Sequence, residues 1–270
     1  MRTRILYATF KRNFIIQRRA YPLEFFIGKI LSAFYTVLTA YFMYNLLFKG
    51  QLNDSFSEFT GTSDYMSYVI LGGGIYLFVV GTFLNVSRSL ITEMRTGTID
   101  SLMIAPFDRV GYFFGNMLQQ TFTTSMEFLL AIIISIPFGI NLTGINIPAT
   151  ILAFLISLVA YFGMSLILAA GMLYFRDTYI SQNTVFLAIL LLCGITYPIE
   201  YLPQWVQYIS HIIPVTTSLN MIRNSVILGM GIPEQLNNFG YLMILAILYS
   251  VIGFKLLKRI EKIALENNLA

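Results

Sequence analysis

The chain has 270 residues, 57% of them hydrophobic and 11% charged, with a net charge of +4 and a mean hydropathy of +0.72. Soluble domains carry about 25% charged residues, so this composition excludes an ordinary soluble protein and is typical of a membrane protein. The chain has one cysteine, Cys193, and one histidine, His211, which excludes an internal disulfide and a Cys/His metal site of three or four ligands.

The first segment, residues 1–22, predicts an amphipathic helix that lies at the membrane surface and contacts lipid. At 100° per residue, one face carries apolar and aromatic side chains, namely Leu6, Tyr7, Phe10 and Phe14. Basic side chains fall mostly on the opposite face, namely Arg4, Lys11, Arg12, Arg18 and Arg19. Because basic residues run through the whole segment and no cleavage site follows, the segment is not a signal peptide.

Six apolar segments follow, and they predict an all-α integral membrane protein with one transmembrane domain. The segments are approximately Phe25–Phe48, Met66–Val86, Tyr112–Phe138, Ile147–Phe175, Asn183–Tyr197 and Phe239–Leu257. Since a span takes about 20 apolar residues, we expect a six-span bundle over residues 25–258 and a cytoplasmic tail over residues 259–270. Six spans leave no room for a large soluble domain.

The fifth apolar segment is short for a full crossing, and a proline-punctuated stretch follows it. The prolines of this stretch are Pro198, Pro203, Pro214 and Pro233. The stretch predicts a short re-entrant helical hairpin between spans 5 and 6. Such backbone is tolerated at membrane depth only where it is buried in protein or faces water.

The positions of the basic residues predict the orientation. With the N-terminus inside, 14 of the 17 lysines and arginines lie in cytoplasmic segments, as the positive-inside rule requires. Lys49 and Arg223 lie outside, and Lys29 lies near the inner end of span 1, where it can reach the interface. We therefore expect a multi-pass protein of the plasma (inner) membrane with both termini in the cytoplasm. The same bias explains the positive net charge without a nucleic-acid partner.

A charged segment, SLITEMRTGTIDSLMIAPFDRVG at residues 89–111, interrupts the apolar pattern between spans 2 and 3. Its run from Ile91 to Ile104 is compatible with a helix, and Pro106 breaks it. One interpretation is a solvated loop with a helix on the membrane surface. The other is a docking element in which charged residues set the register with a soluble partner and apolar residues fill its groove.

Three segments of the chain resemble the permease subunits of type-2 class ABC exporters. In the charged segment, the matching positions are Glu93, Gly97, Thr98, Asp100, Leu102, Pro106 and Arg109, although glutamate is commoner than aspartate at position 100. In the segment between spans 5 and 6, they are Gly194, Pro198, Leu202, Pro203, Trp205, Pro214, Thr216 and Arg223. The third and shorter match is YFRDT at residues 174–178.

The resemblance implies a partner and a division of labour. Permeases of this class work as dimers, either homodimers or pairs with a homologous permease, and each subunit binds one cytoplasmic ABC ATPase, two copies in all. The resemblance further implies that the 97–109 region and the N-terminal helix contact the ATPase. Pro198, Pro203, Trp205, Pro214 and Arg223 would belong to an outer hairpin that caps the exit of the central path.

The chain carries no phosphate-binding loop of its own. The motif G-x-x-x-x-G-K-[ST] is absent, and the one Gly-Lys pair, Gly28–Lys29, is followed by Ile30 inside a span. We therefore expect no enzymatic activity and no cofactor in this chain, with ATP and Mg held by the partner ATPase.

Four residues are candidates for a translocation path. Glu127 lies within span 3, where a carboxylate costs about 2.5–3.5 kcal/mol, so it either faces the path or is hydrogen-bonded within the bundle. Asn85 lies near the inner end of span 2. Phe34 and Tyr41 belong to the aromatic residues of span 1, which would suit a flat or amphiphilic substrate.

The leading prediction is the permease subunit of an exporter for a hydrophobic or amphiphilic compound, whether drug-, lipid- or peptide-like. An alternative cargo is a cell-envelope polysaccharide or teichoic-acid precursor. An alternative of another class is a secondary active transporter, which would need mid-membrane charges and usually internal repeats. Within the predicted spans only Glu127 meets that need, and no repeat is visible.

Overall fold

The computed structural model describes residues 2–47, 49, 54–98, 109–175 and 180–268, and every regular element in these ranges is helical. The predicted all-α class is therefore confirmed. The helices are α1 (Arg2–Ala20), α2 (Lys29–Phe42), α3 (Asp54–Thr60), α4 (Tyr65–Phe78), α5 (Ser89–Arg95), α6 (Arg109–Ser135), α7 (Ile147–Phe175), α8 (Phe186–Leu192), α9 (Gln204–Ile212), α10 (Pro214–Val226) and α11 (Leu236–Asn268).

Short irregular helices join or extend these elements. Four are π-helical turns: Glu24–Gly28, Met43–Leu47, Val79–Asn85 and Ile180–Val185. Three are 3₁₀ turns: Ile136–Phe138, Ile199–Tyr201 and Pro233–Gln235. The π turns leave α2 and α4 inside longer continuous helices, because each turn abuts the α-helix without a break.

Within the described ranges, five helices are long and apolar enough to cross a membrane. They are Phe25–Leu46, Tyr65–Asn85, Val110–Phe138, Ile147–Phe175 and Pro233–Ile260, and they correspond to predicted spans 1, 2, 3, 4 and 6. The predicted fifth span contains a shorter apolar helix, Asn183–Leu192. The number six therefore stays a prediction.

The centre of the bundle is α7, which packs along α11 and α10. A Cβ atom at Gly163 of α7 would lie 2.5 Å from the backbone nitrogen of Ser250, and one at Gly253 of α11 would lie 2.7 Å from the Gly163 carbonyl oxygen. These two glycines thus allow the backbones of α7 and α11 to approach closely, as small residues do between membrane helices.

Polar side chains join α10 to α7 inside the apolar core. The Ser218 hydroxyl lies 2.6 Å from the Tyr161 hydroxyl and donates to Ser157 Oγ at 2.6 Å, and all three side chains are buried. Pro214 occupies the first turn of α10, where a missing backbone N–H costs nothing. The short helix α10 is therefore held inside the bundle.

Two expectations about helix ends differ from the structure. The helix that begins the charged segment ends at Arg95, before the expected Ile104, because Gly97 adopts φ 71° and the Thr98 N–H donates to the Glu93 carbonyl at 3.0 Å. A left-handed glycine with this hydrogen bond is a common helix C-terminus. At the other end of the chain, α11 continues without a break through most of the 259–270 tail.

Candidate functional site

The N-terminal helix α1 packs against the first half of α6. A Cβ atom at Gly115 of α6 would lie 2.7 Å from the Leu6 carbonyl oxygen, so glycine permits the close approach of the two helices. On the predicted apolar face of α1, Leu6, Phe10 and Phe14 are partly buried, and the contact of this face with lipid stays a prediction. Tyr7, placed on the same face by the helical period, is instead 64% exposed.

Amide and aromatic pairs hold this contact. Asn13 donates to Asn116 Oδ1, and Gln119 donates to Gln17 Oε1 at 2.7 Å. The Phe122 ring meets the rings of Phe10 and Phe14 edge-on, with centroids 6.1 and 5.9 Å away. Since these amides pair with one another, their hydrogen bonds offset the cost of removing them from water.

Arg12 of α1 and Glu93 of α5 form an ion pair that joins the N-terminal helix to the charged segment. Arg12 Nη2 lies 2.5 Å from Glu93 Oε1, and the Tyr112 hydroxyl donates to the same oxygen at 3.2 Å. The Thr98 hydroxyl donates to the other carboxylate oxygen at 2.5 Å. Three elements, α1, α5 and α6, thus meet at the Glu93 carboxylate. We call Arg12, Glu93, Thr98 and Tyr112 the Glu93 node.

The electrostatics of the node favour the ionised carboxylate. Partial burial raises the pKa of Glu93, but the hydrogen bond from Thr98 and the charge and hydrogen bond of Arg12 outweigh burial, so the pKa lies below its ordinary value of 4.5. For Arg12, burial lowers the pKa and the Glu93 charge raises it, with a net increase. Both groups are therefore charged at neutral pH.

The last described residues of the charged segment before α6 are exposed. Gly97 has open space around the position of a Cβ atom, and Thr98 is exposed. Asp100, Leu102 and Pro106, three of the predicted ATPase-coupling residues, lie outside the described residues. Arg109 is the first residue of α6. On α1, the basic residues Arg4 and Lys11 are exposed, and their place in an interfacial helix stays a prediction.

Glu127 of α6 has an ion-pair partner that the sequence analysis did not assign to it. Lys29 Nζ lies 3.3 Å from Glu127 Oε2 and donates to the Thr123 carbonyl at 3.4 Å. The two side chains are 14% and 13% exposed. The single predicted intramembrane acid is therefore half of a pair whose net charge is zero, which lowers its cost in the membrane.

A polar cavity of about 380 Å³ opens beside this ion pair. Its walls come from α1, α2, α6 and the Val79–Asn85 turn, and its polar lining residues are Gln17, Lys29, Ser32, Asn85, Gln120, Thr124 and Glu127. Asn85, a predicted path residue, donates to Gln120 Oε1 at 3.4 Å. The structure thus brings Asn85 and Glu127 to one cavity.

A second cavity of about 410 Å³ lies next to the first, between α2, α4 and α8. Its lining is mostly apolar, with Tyr35 and Tyr76 as its tyrosines and Thr36 and Thr39 among its hydroxyl groups. Phe34 and Tyr41 line neither cavity. Phe34 is exposed, and Tyr41 packs edge-on against Phe138 at 5.3 Å, so their part in a path stays a prediction.

Arg223 anchors the segment between the fifth apolar segment and α11. It is 4% exposed and donates to the carbonyls of Tyr68, Gly194 and Ile195 at 3.2, 2.7 and 2.6 Å. Its guanidinium lies 3.5 Å from the Tyr68 ring centroid, a cation–π distance. Arg223 thus joins α10, α4 and the end of α8.

The other predicted hairpin residues lie around this anchor. Pro198 precedes the Ile199–Tyr201 turn and is buried, and Pro203 precedes α9. Pro214 begins α10 and is also buried. Trp205, in the first turn of α9, is 67% exposed.

Several functional partners were missed from the sequence, and one of them could have been found. Lys29 and Glu127 are opposite charges in two predicted spans, and such charges tend to pair. The sequence did not indicate the contacts made by Tyr112, Asn116 and Tyr68, because a hydroxyl or amide at the end of an apolar segment is ordinary in membrane helices.

The described residues define a helical, multi-pass membrane protein. Its bundle contains the Glu93 node, a polar cavity beside the Lys29–Glu127 ion pair, and the buried Arg223 in its proline-rich segment. A family model described as ABC-2 type transporter matches residues 5–227, and no curated protein matches the chain. The chain belongs to the ABC-2 type transporter family. It is accordingly a membrane component of an ABC exporter, not itself catalytic, and membership of the family implies association with an ABC ATPase.

Proposed function

We propose that the chain is the permease subunit of an ABC exporter that moves a hydrophobic or amphiphilic compound across the plasma membrane. Two permease subunits, identical or homologous, form the path, and each binds one cytoplasmic ATPase. Both termini lie in the cytoplasm. ATP and Mg are held by the ATPase, and the permease converts the closure of the ATPase dimer into movement of its spans.

The observation that carries the proposal is the Glu93 node. It links α1, the predicted surface helix, to α5, the start of the predicted coupling segment, through the Arg12–Glu93 ion pair. The same carboxylate accepts a hydrogen bond from Tyr112 at the base of α6. A displacement of the 97–109 region by the ATPase would therefore be transmitted to α6 through the hydrogen bond between Glu93 and Tyr112.

The proline-rich segment fits an outer re-entrant hairpin. The helices α9 and α10 have nine and 13 residues, about 14 and 20 Å at 1.5 Å per residue. Both are shorter than the roughly 30 Å hydrocarbon core. In this proposal, the Ile180–Leu192 helical stretch enters the membrane as a short fifth span, and the hairpin completes the outer half of its crossing.

Two findings support an amphiphilic cargo over a purely polar one. The cavity between α2, α4 and α8 is lined mainly by apolar side chains, and it adjoins the polar cavity at Glu127. A path for a polysaccharide precursor would require polar lining throughout, because sugar hydroxyls would otherwise lose hydrogen bonds to water.

The proposed topology can be tested by labelling. Cys193 is buried, so single cysteines can be added to an otherwise silent background. We expect Thr98→Cys to react with a membrane-impermeant maleimide only in inside-out vesicles, and the matched control Tyr201→Cys, at an exposed position of the hairpin, only in intact cells. Reaction of Thr98→Cys in intact cells would refute the orientation.

The proposed ATPase contact can be tested by co-purification. The double charge reversal Asp100→Lys with Arg109→Glu should weaken association with the ATPase, because complementary charges at a docking rim set the register. Lys255→Glu with Lys262→Glu, two exposed positions of α11, controls for a change of charge alone. Normal ATPase binding by the first variant would place the contact elsewhere.

A further inference from the structure

The polar and the apolar cavities adjoin each other, and Ser32, Leu77 and Val80 line both. Their volumes, about 380 and 410 Å³, each fall within the range of roughly 300–1,000 Å³ that is typical of small-molecule sites. Side by side, the two cavities form a space that offers a polar end and an apolar end to one elongated ligand.

The two ends are ordered along the spans. In span 1, the polar cavity is lined from Gly28 to Ser32 and the apolar cavity from Ser32 to Thr39. In span 2, which runs in the opposite direction, the order is reversed, from Asn85 back to Val69. The polar end is therefore close to Gln17 of the basic helix α1, and the apolar cavity runs along the spans away from α1, past their middle to Val69 of the Tyr65–Asn85 helix.

This order matches the orientation of a lipid in the leaflet that α1 borders. A headgroup would lie beside Gln17, Lys29 and Glu127, and an apolar chain would extend along Tyr35 and Tyr76. The reverse orientation would place the polar head against a mainly apolar lining, in which the hydroxyls of Thr36, Thr39 and Tyr76 already donate to backbone carbonyls, and would therefore be less favourable.

The charges of the polar end define the headgroup. Lys29 and Glu127 carry opposite charges and line the same cavity. Their nitrogen–oxygen distance of 3.3 Å exceeds the roughly 2.7–2.9 Å of a tight charge-assisted hydrogen bond. A headgroup with one charge would satisfy one residue and leave the other facing its own sign, whereas a zwitterion satisfies both.

We propose that this space binds a zwitterionic amphiphile, with the anionic group of its head on Lys29, the cationic group on Glu127 and its chain in the apolar cavity. The inference rests on the proposed function, since it names the class of cargo that the exporter takes up. Asn85, Gln120 and Thr124 provide further donors and acceptors to the head from the same cavity wall.

Headgroup preference of the purified full-length protein tests the proposal. Three probes share one fluorescent single chain and differ in their heads: phosphocholine (zwitterionic), phosphoglycerol (anionic) and trimethylammonium (cationic). Binding is measured by fluorescence anisotropy in a neutral sugar detergent, without ATPase or nucleotide. We expect the phosphocholine probe to bind about tenfold more tightly than either other probe, a difference of about 1.4 kcal/mol, since only its head satisfies both charged residues.

Single variants should invert the preference in opposite directions. Lys29→Gln leaves Glu127 and should favour the cationic probe, whereas Glu127→Gln leaves Lys29 and should favour the anionic probe. The control Lys11→Gln, which removes an exposed lysine of α1 outside the cavity, should keep the preference for phosphocholine. Equal binding of the three probes by the native protein, or single variants that do not shift the preference, would overturn the proposal.

A double variant guards against misfolding. Lys29→Gln with Glu127→Gln leaves no unpaired charge in the membrane and should bind the three probes equally, whereas a retained preference for phosphocholine overturns the assignment. Unlabelled phosphocholine lipids with one chain or with two chains serve as competitors. Displacement of the bound probe by either lipid supports the site and shows which size of amphiphile it takes. Displacement by neither lipid overturns the proposal.

The outcome is separable from that of the proposed function. A protein that shows the headgroup preference but does not bind the ATPase would refute the exporter mechanism alone. A protein that binds the ATPase and shows no headgroup preference would refute the cargo assignment alone.

Discussion

The guanidinium of Arg12 and the carboxylate of Glu93 are in contact at 2.5 Å although 81 residues separate them in the chain. The pair joins the N-terminal helix α1 to the helix that begins the charged segment between α4 and α6. Neither residue belongs to an apolar span, so the contact lies at the end of the bundle and not within it. In the proposed mechanism, the ATPase applies its force at this end of the bundle.

A charge exchange at this pair tests its role in coupling. We expect Arg12→Glu or Glu93→Arg to reduce cargo-stimulated ATPase activity of the reconstituted complex about fivefold to tenfold, or about 1–1.4 kcal/mol, because like charges then face each other. The exchange variant with both changes should recover most of the activity. Lys11→Glu, an exposed neighbour on α1, serves as the control, and an exchange variant no better than the single ones would contradict the role of the pair.

The same ion pair has a defined pH dependence. Because the pKa of folded Glu93 lies below the ordinary value of 4.5, the stabilisation that its charge provides is fully present above about pH 4.5 and is lost as the pH falls through the lower folded value. Spin labels at Lys11→Cys and Thr92→Cys should keep a constant separation from pH 8 to pH 5 and spread below pH 4.5. With Glu93→Gln added, the separation should no longer depend on pH; a spread near pH 6 would indicate another titrating group.

We expect replacement of Gly97 to weaken ATPase association through backbone strain alone, because Gly97 has a left-handed conformation. Its φ is 71° and the space around it is open, so Gly97→Ala introduces no collision but costs about 1–2 kcal/mol in backbone strain. We expect weaker ATPase association, measured by co-purification, with unchanged helicity by circular dichroism. Gly139→Ala is a matched control, since Gly139 has φ 89° and equally open surroundings at the far end of α6. Equal effects of the two changes on association would remove Gly97 from the coupling element.

The buried anchor Arg223 should not tolerate lysine. A lysine keeps the charge but cannot reach three carbonyls in the planar fork of a guanidinium. The loss of these charged hydrogen bonds should cost about 2–4 kcal/mol and lower the apparent Tm of the purified protein by about 5–10 °C. Arg259→Lys, at an exposed position of α11, should leave the Tm unchanged. A Tm of Arg223→Lys equal to that of the native protein would show that the anchor is dispensable for stability.

Much of the bundle could be predicted because apolar length is a local property. Each of the helices Tyr65–Asn85 and Ile147–Phe175 was identified within a few residues, since a run of about 20 apolar side chains has few alternatives to a membrane helix. The end of α5 was placed too late, because a helix-compatible run says nothing of a glycine that turns left-handed in the middle. Gly97 was named as a motif residue, and its conformation came from the structure.

The sequence analysis named several residues of the candidate site but did not predict which of them contact each other. Glu93, Arg12, Glu127 and Asn85 were each named from the sequence, and no sequence separation indicates that Arg12 reaches Glu93 or that Asn85 shares a cavity with Glu127. Side chains from α1, α2, α4 and α6 meet only after these helices have packed, and the packing depends on close approaches such as that at Gly115. Phe34 was predicted to line the path, but the next residue, Tyr35, lines the apolar cavity. Neighbouring residues of a helix differ by 100° in direction, and the sequence does not define the rotation of the helix that precisely.

By itself, the sequence determined that this chain is a helical membrane protein with a charged segment between two spans and no nucleotide-binding loop, because composition, apolar length and motif residues are properties of neighbours along the chain. The tertiary structure decided which charges neutralise one another, where the polar and apolar cavities adjoin each other, and which carbonyls hold Arg223. Those features depend on distances between residues far apart in the chain, and only the packing of the helices sets them.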